Sequence, residues 1–192
     1  MYASIKAIKA AKSISTPTIA TLLVLFLLIA ANPAWAGTEN NALDMPVITS
    51  GSGKTLGVLE IKETTPGSIV EGQEVTLTLI NARVSGVTWE QPDKEGPGDG
   101  PGAWIYAPLV NDNENNAIEE IEILDQTEEL VRIRISKMQA GGRGSLLVRV
   151  TGDGNDLGAV VGQAGDVRIA IASSPDSGFT EGEVTVAKVS GS

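Results

Sequence analysis

The 192-residue chain has no cysteine and no histidine. Without histidine there is no imidazole general base, no Ser-His-Asp triad and no His-ligated zinc or haem. Without cysteine there is no thiolate nucleophile, no four-cysteine zinc site, no iron–sulfur ligation and no disulfide. Aromatic residues are scarce, at 4%, and beyond residue 36 they reduce to Trp89, Trp104, Tyr106 and Phe179. Past that point, no window of a dozen residues shows apolar groups at helical spacing. Carboxylates, lysines and one tyrosine are the chemistry that remains, an inventory that points away from an enzyme.

Residues 1–36 read as a secretory signal peptide. Lys6, Lys9 and Lys12 form a basic head, 18–31 are almost unbroken apolar text, and Pro33 precedes Ala34-Trp35-Ala36, a small-x-small cleavage pattern. The apolar core, 19–31, is shorter than the roughly 20 residues of a spanning helix. No cysteine follows that could carry a lipid anchor. Cleavage after Ala36 would leave 11 basic against 24 acidic groups over 156 residues, a net charge of −13. Such a surface repels nucleic acid and anionic lipid. The expected product is an extracellular or cell-surface protein with no nucleic-acid partner and no membrane association after signal cleavage.

Period-two alternation dominates the rest. Val75, Leu77 and Leu79 alternate with threonines, and Ile121 and Ile123 with Glu120 and Glu122. Val131, Ile133 and Ile135 alternate with Arg132 and Arg134; Leu146, Val148, Val150 and Val167, Ile169, Ile171 repeat the pattern. Leu59 with Ile61 and Val184 with Val186 open and close the series. Turn text such as Gly152-Asp153-Gly154 and Ser177-Gly178 separates these runs. The pattern predicts an all-β fold, an antiparallel β-sandwich (Ig-like or jelly-roll-like) of about seven to nine strands over 56–192, with a closed barrel as the alternative. If 118–124 pairs with 129–135, Glu120 falls near Arg134 and Glu122 near Arg132, a surface charge ladder.

Two regions depart from alternation. Residues 91–102 hold three prolines and four glycines, bracketed by Trp89, Trp104 and Tyr106. These aromatics either pin a long loop to the sandwich or form a sugar-stacking platform or subunit contact, the former being the plainer reading. Residues 37–55 read as an extended arm: Leu43, Met45 and Val47 lie on one side of it, Ile48 is spare, and Ser50-Gly51-Ser52-Gly53 forms a flexible link. Such an arm can fold back as the first strand of its own domain or reach into a neighbour and complete its sheet.

Gly51-Ser52-Gly53-Lys54-Thr55 looks like the end of a phosphate-binding loop, but Ile48 stands where that loop needs glycine, and a strand follows instead of a helix. Two Asx-rich stretches could supply calcium with oxygen ligands: Asp112 and Glu114 in one, Asp153 and Asp156 in the other. The second resembles a single calcium nonapeptide of β-roll repeats, yet it occurs once where that fold needs stacked copies; ordinary turns are the competing reading for both. Glu119, Glu120 and Glu122 are the best carboxylates for glycan cleavage, but arginines opposite them favour ionised structural pairs over a raised acid. No catalytic residue is assigned, and no cofactor beyond calcium.

Gly165-Asp166-Val167-Arg168-Ile169-Ala170-Ile171, Gly178-Phe179-Thr180 and 184–189, together with 56–63 and Glu71-Gly72-Gln73, resemble β-sandwich modules of secreted Gram-positive surface proteins. Those modules stand beside domains named for the N-terminal region of copper amine oxidases; that domain and its histidines are absent here. The arm at 38–50 gives a looser resemblance to exported filament subunits that polymerise by donating an N-terminal strand. The expectation is therefore an exported structural subunit whose partner is itself, a homopolymer built by donor-strand complementation with Leu43, Met45 and Val47 at the subunit interface. The alternative is a monomeric module binding cell-wall glycan through Trp89, Trp104 and Tyr106.

Overall fold

Wherever apolar and polar residues alternate, the chain forms a strand. A computed structural model describes residues 37–92, 96–108, 116–163 and 165–190, all within one compact unit spanning Ala36–Ser192. The signal-peptide reading of 1–36 lies outside the described residues. Fourteen strands are present among those described, and no helix: β1 (Thr38–Ala42), β2 (Val47–Ile48), β3 (Gly51–Lys54), β4 (Leu59–Glu63), β5 (Glu74–Ile80), β6 (Ala82–Ser85), β7 (Trp89–Glu90), β8 (Gly102–Tyr106), β9 (Ile118–Gln126), β10 (Leu130–Met138), β11 (Ser145–Thr151), β12 (Gly158–Val161), β13 (Val167–Ser173) and β14 (Gly182–Val189).

Six strands form one sheet in the order β2-β14-β13-β5-β10-β9, five form a second, β1-β4-β11-β8-β7, and three form a small third, β3-β12-β6. The inward positions of the two large sheets share one apolar cluster. Val75, Leu77, Val131, Ile133, Ile135, Val167 and Ile169 meet Leu59, Ile61, Ala103, Ile105, Leu146 and Val148 there. Each fully buried aliphatic side chain of this kind contributes about 1.5–3 kcal/mol. The architecture is the expected all-β sandwich.

Strand number and direction differ from the expectation. The seven alternating runs all appear, as β4, β5, β9, β10, β11, β13 and β14; the other seven strands are only two to five residues long, too short for alternation to show. Two pairings, β2 with β14 and β7 with β8, are parallel.

The β9–β10 hairpin forms, but shifted from the expected register: Glu122 lies opposite Arg134, Asp125 opposite Arg132 and Glu120 opposite Lys137. β9 runs on to Gln126, and the turn is made by Thr127, whose Oγ1 accepts from the amides of Glu129 (3.2 Å) and Leu130 (3.1 Å). Three register irregularities follow along the pair. The result is a different ladder: Arg134 pairs with Glu74 on β5 at 2.8 Å and with Glu122 at 3.6 Å, and Lys137 with Glu119 at 2.9 Å.

Candidate functional site

Residues 37–54 run along the edges of all three sheets. β1 pairs antiparallel with β4, Thr38 opposite Glu63 and Ala42 opposite Leu59. Its start is fixed by reciprocal bonds with Thr180: the Thr38 amide donates to Thr180 Oγ1 and the Thr180 amide to Thr38 Oγ1, both at 2.9 Å. The chain then crosses the sandwich edge. The Leu43 amide donates to the Val58 carbonyl (2.8 Å), while the Val58 amide donates to Asp44 Oδ1 (2.6 Å). β2 lies parallel to β14, and the amides of Lys188 (2.9 Å) and Ser190 (2.8 Å) donate to the carbonyls of Pro46 and Ile48. β3 pairs with β12. The arm therefore closes one edge in each of the two large sheets and one in the small sheet, edges that would otherwise present unpaired amides and carbonyls.

The three apolar residues expected at a subunit interface stand outward. Leu43 is 57% exposed, Met45 46% and Val47 70%. Ile48, read as spare, packs against the core instead. The Gly/Ser link is not loose: Gly51–Lys54 is β3, and a Cβ on Gly53 would fall 2.3 Å from the Asn155 amide nitrogen. Glycine is there to permit close backbone approach. No phosphate-loop geometry forms; Lys54 Nζ donates to Thr49 Oγ1 at 3.1 Å.

The aromatics are packed. Trp89 is 3% exposed, Trp104 8% and Tyr106 9%. Ala103 and Ile105 enter the core, so alternation puts Gly102, Trp104 and Tyr106 on the other face of β8. The Arg149 guanidinium lies 6.0 Å from the Trp104 ring centroid. Burial pushes the Tyr106 hydroxyl above its ordinary pKa, and Arg149 draws it part of the way back. Trp89 Nε1 has no hydrogen-bond partner among the described residues.

Of the calcium ligands read from sequence, Asp112 and Glu114 lie outside the described residues. Asp153 forms an Asx turn, its Oδ1 accepting from the amides of Asn155 (2.8 Å) and Leu157 (3.1 Å). Those bonds hold its carboxyl below the ordinary carboxylate value. Asp156 is exposed. Among the described residues, no three acidic groups cluster as a metal site, and no helix is long and apolar enough to cross a membrane.

Two features escaped the sequence reading. Glu63 is only 1% exposed and has no cation partner among the described residues; its Oε1 accepts from the Ile69 amide (2.6 Å) and its Oε2 from the Gly144 amide (2.5 Å). A signal was present: 59, 61 and 63 share one phase of the β4 alternation, so a charge at 63 had to point inward. Beside it opens a cleft of about 900 Å³ between the 66–71 and 139–143 loops. It brings together side chains from four separate segments and has no local sequence signature.

No protein-family model matches the chain, and no curated protein matches it in sequence. The resemblance to Gram-positive surface modules has no counterpart there. Among solved structures, the chain is similar to a DUF4466 family protein from Parabacteroides merdae, with 9% identity, a TM-score of 0.49 and 81% of this chain covered. The chain spans 44% of that protein's length. It is also similar to self-complemented MyfA, the major subunit of Myf fimbriae from Yersinia enterocolitica, with 9% identity, a TM-score of 0.32, and coverage of 79% of this chain and 98% of that one.

Proposed function

We propose that the chain is an exported structural subunit that assembles head to tail into an extracellular filament or surface layer, through donation of residues 38–49 to a neighbouring subunit. The observation that carries this reading is the arm's mode of attachment. β1 and β2 add to sheet edges by main-chain bonds, to β4 and β14 respectively, and a neighbour's arm can make the same bonds. β3, seated on β12 with Gly53 against the 154–155 backbone, is the root from which the arm swings.

Exchange trades intramolecular contacts for identical intermolecular ones, so subunit concentration sets the balance, and a contact that does not close propagates as a fibre. In this reading the chain performs no catalysis, needs no cofactor and takes itself as partner. A glycan platform is not favoured, since neither Trp104 at 8% nor Tyr106 at 9% exposure presents an open ring face.

The test is negative-stain electron microscopy of residues 37–192, with and without calcium. Thin regular filaments are expected, and deletion of 38–50 should abolish them while leaving a soluble sandwich. Filaments from the truncated chain would rule out strand donation. Dependence on calcium would return the Asp153 turn and the Asp112 stretch to consideration as metal sites.

A further inference from the structure

Among the described residues, the large apolar groups that stay exposed are Leu43, Met45 and Val47 on the arm, Val70 at the cleft and, least so, Leu157 on the Asp153 turn; the first two places match. One is the row Leu43, Met45 and Val47 on the arm, with Asp44 inside it and Glu39 upstream, both exposed. The row stands outward whichever body the arm is paired with, because the strand pairings that orient it are the same. The other is the cleft of about 900 Å³, where Ile69, Val70, Ala117 and Met138 provide apolar lining and Lys62 and Arg143 provide cations. Val70 is 49% exposed. Neither Lys62 nor Arg143 takes part in an ion pair among the described residues. Glu71 is the acid among the lining residues; Glu63, beneath, is spent on two backbone amides. The volume falls within the roughly 300–1,000 Å³ of sites that engulf a ligand.

Position adds to chemistry. The row begins where Leu43 bonds Val58, beside the Leu59 end of β4, whereas the cleft opens at Lys62, toward its other end. Four residues of strand separate them, roughly 13 Å, so a body does not seat the row it carries. The cleft of the next body can.

We infer that the cleft bordered by Lys62, Val70 and Arg143 is the receptor for the Leu43–Met45–Val47 row presented by a second copy of this chain, with Asp44 facing the two cations. This rests on the self-assembly reading and supplies its missing half, the surface that each new subunit meets. Donor and acceptor at opposite ends of one strand make a heterologous contact that repeats without closing. For a chain whose net charge over 37–192 is −13, contact at a cleft that holds Lys62 and Arg143 outside any ion pair among the described residues sets unlike charges together.

Two variants of residues 37–192 test it, both altered only at exposed or rim positions. One carries Leu43→Ser, Met45→Ser and Val47→Ser; the other carries Val70→Asp and Arg143→Glu. Sedimentation velocity and electron microscopy are expected to show each variant needing at least about tenfold more protein than the parent to polymerise. Mixed, they should form dimers and nothing longer, because each keeps one working end. Parent-like filaments from the cleft variant would overturn the receptor while leaving strand donation standing. Two defective variants that form no mixed dimer would also overturn it, since the two surfaces then do not meet. A parent chain that stays monomeric at every concentration would remove the self-assembly reading and the receptor together.

Discussion

Gly57 lies directly beneath the backbone of Asp44: a Cβ at 57 would come within 2.2 Å of the Asp44 carbonyl oxygen and 2.5 Å of the Val186 carbonyl oxygen. The arm passes from one large sheet to the other at this point, and it can do so only over a residue without a side chain. Gly57→Ala should therefore lift the crossing and cost about 1–3 kcal/mol, the usual penalty of overpacking against backbone. Limited proteolysis read by mass spectrometry should show faster cleavage within 43–50 and an intact body. Unchanged proteolysis and an unchanged melting temperature would mean that the crossing accommodates a methyl group at 57.

Glu63 ties two loops together. Its carboxylate accepts from Ile69 at 2.6 Å and from Gly144 at 2.5 Å, and both partners are buried with it. Glu63→Ala strands two buried amides, each at about 1–3 kcal/mol. Glu63→Gln keeps one acceptor but turns a second N–H toward an N–H donor, so it should fall between Ala and the parent. Urea midpoints would rank the three. An Ala variant within about 0.5 kcal/mol of the parent, the range of ordinary surface changes, would show that water replaces the carboxylate without loss.

The contrast between Glu63 and the arm shows what was legible in the sequence. Long alternating runs such as 131–135 and 167–171 have one face committed to a core, and the fold follows from them. Glu63 could be placed inward by phase alone. The β9–β10 register could not, because Thr127 takes the turn and bulges consume residues that a simple count pairs off. Strands such as Val47–Ile48 and Trp89–Glu90 are set by which edge lies within reach, a tertiary fact. Leu43, Met45 and Val47 read as one row in the sequence, whereas it is their neighbour Ile48 that packs against the core.

Asp153 makes a pH-sensitive turn. Backbone amides of Asn155 and Leu157 hold its carboxyl below its ordinary value of 3.8. A depressed folded value means that the turn's contribution is fully present above the unfolded pKa and is lost as pH falls through the folded one. The protection of the Leu157 amide, its exchange rate relative to the intrinsic rate at the same pH, should therefore be held at neutral pH and fall only in acid. Asp153→Asn should weaken that pH dependence while leaving the turn formed, since the amide oxygen can still accept. An Asn variant whose exchange at Leu157 still follows the parent's acid profile would assign the transition to another group.

Trp104 separates packing from ligand binding. A Cβ on Gly102 would sit 2.2 Å from the Trp104 ring, so the indole lies back across its own strand. Trp104→Ala should cost about 3–5 kcal/mol, the range for removing a buried aromatic, and Gly102→Ala should be destabilising for the same steric reason. Tyr106→Phe removes only a hydroxyl and should change stability by no more than about 0.5 kcal/mol. Thermal melts of the three variants, run beside retention of the parent on a peptidoglycan column, decide between the two roles. A Trp104→Ala chain that melts like the parent but loses a retention the parent shows would make these aromatics a glycan platform and displace the structural reading.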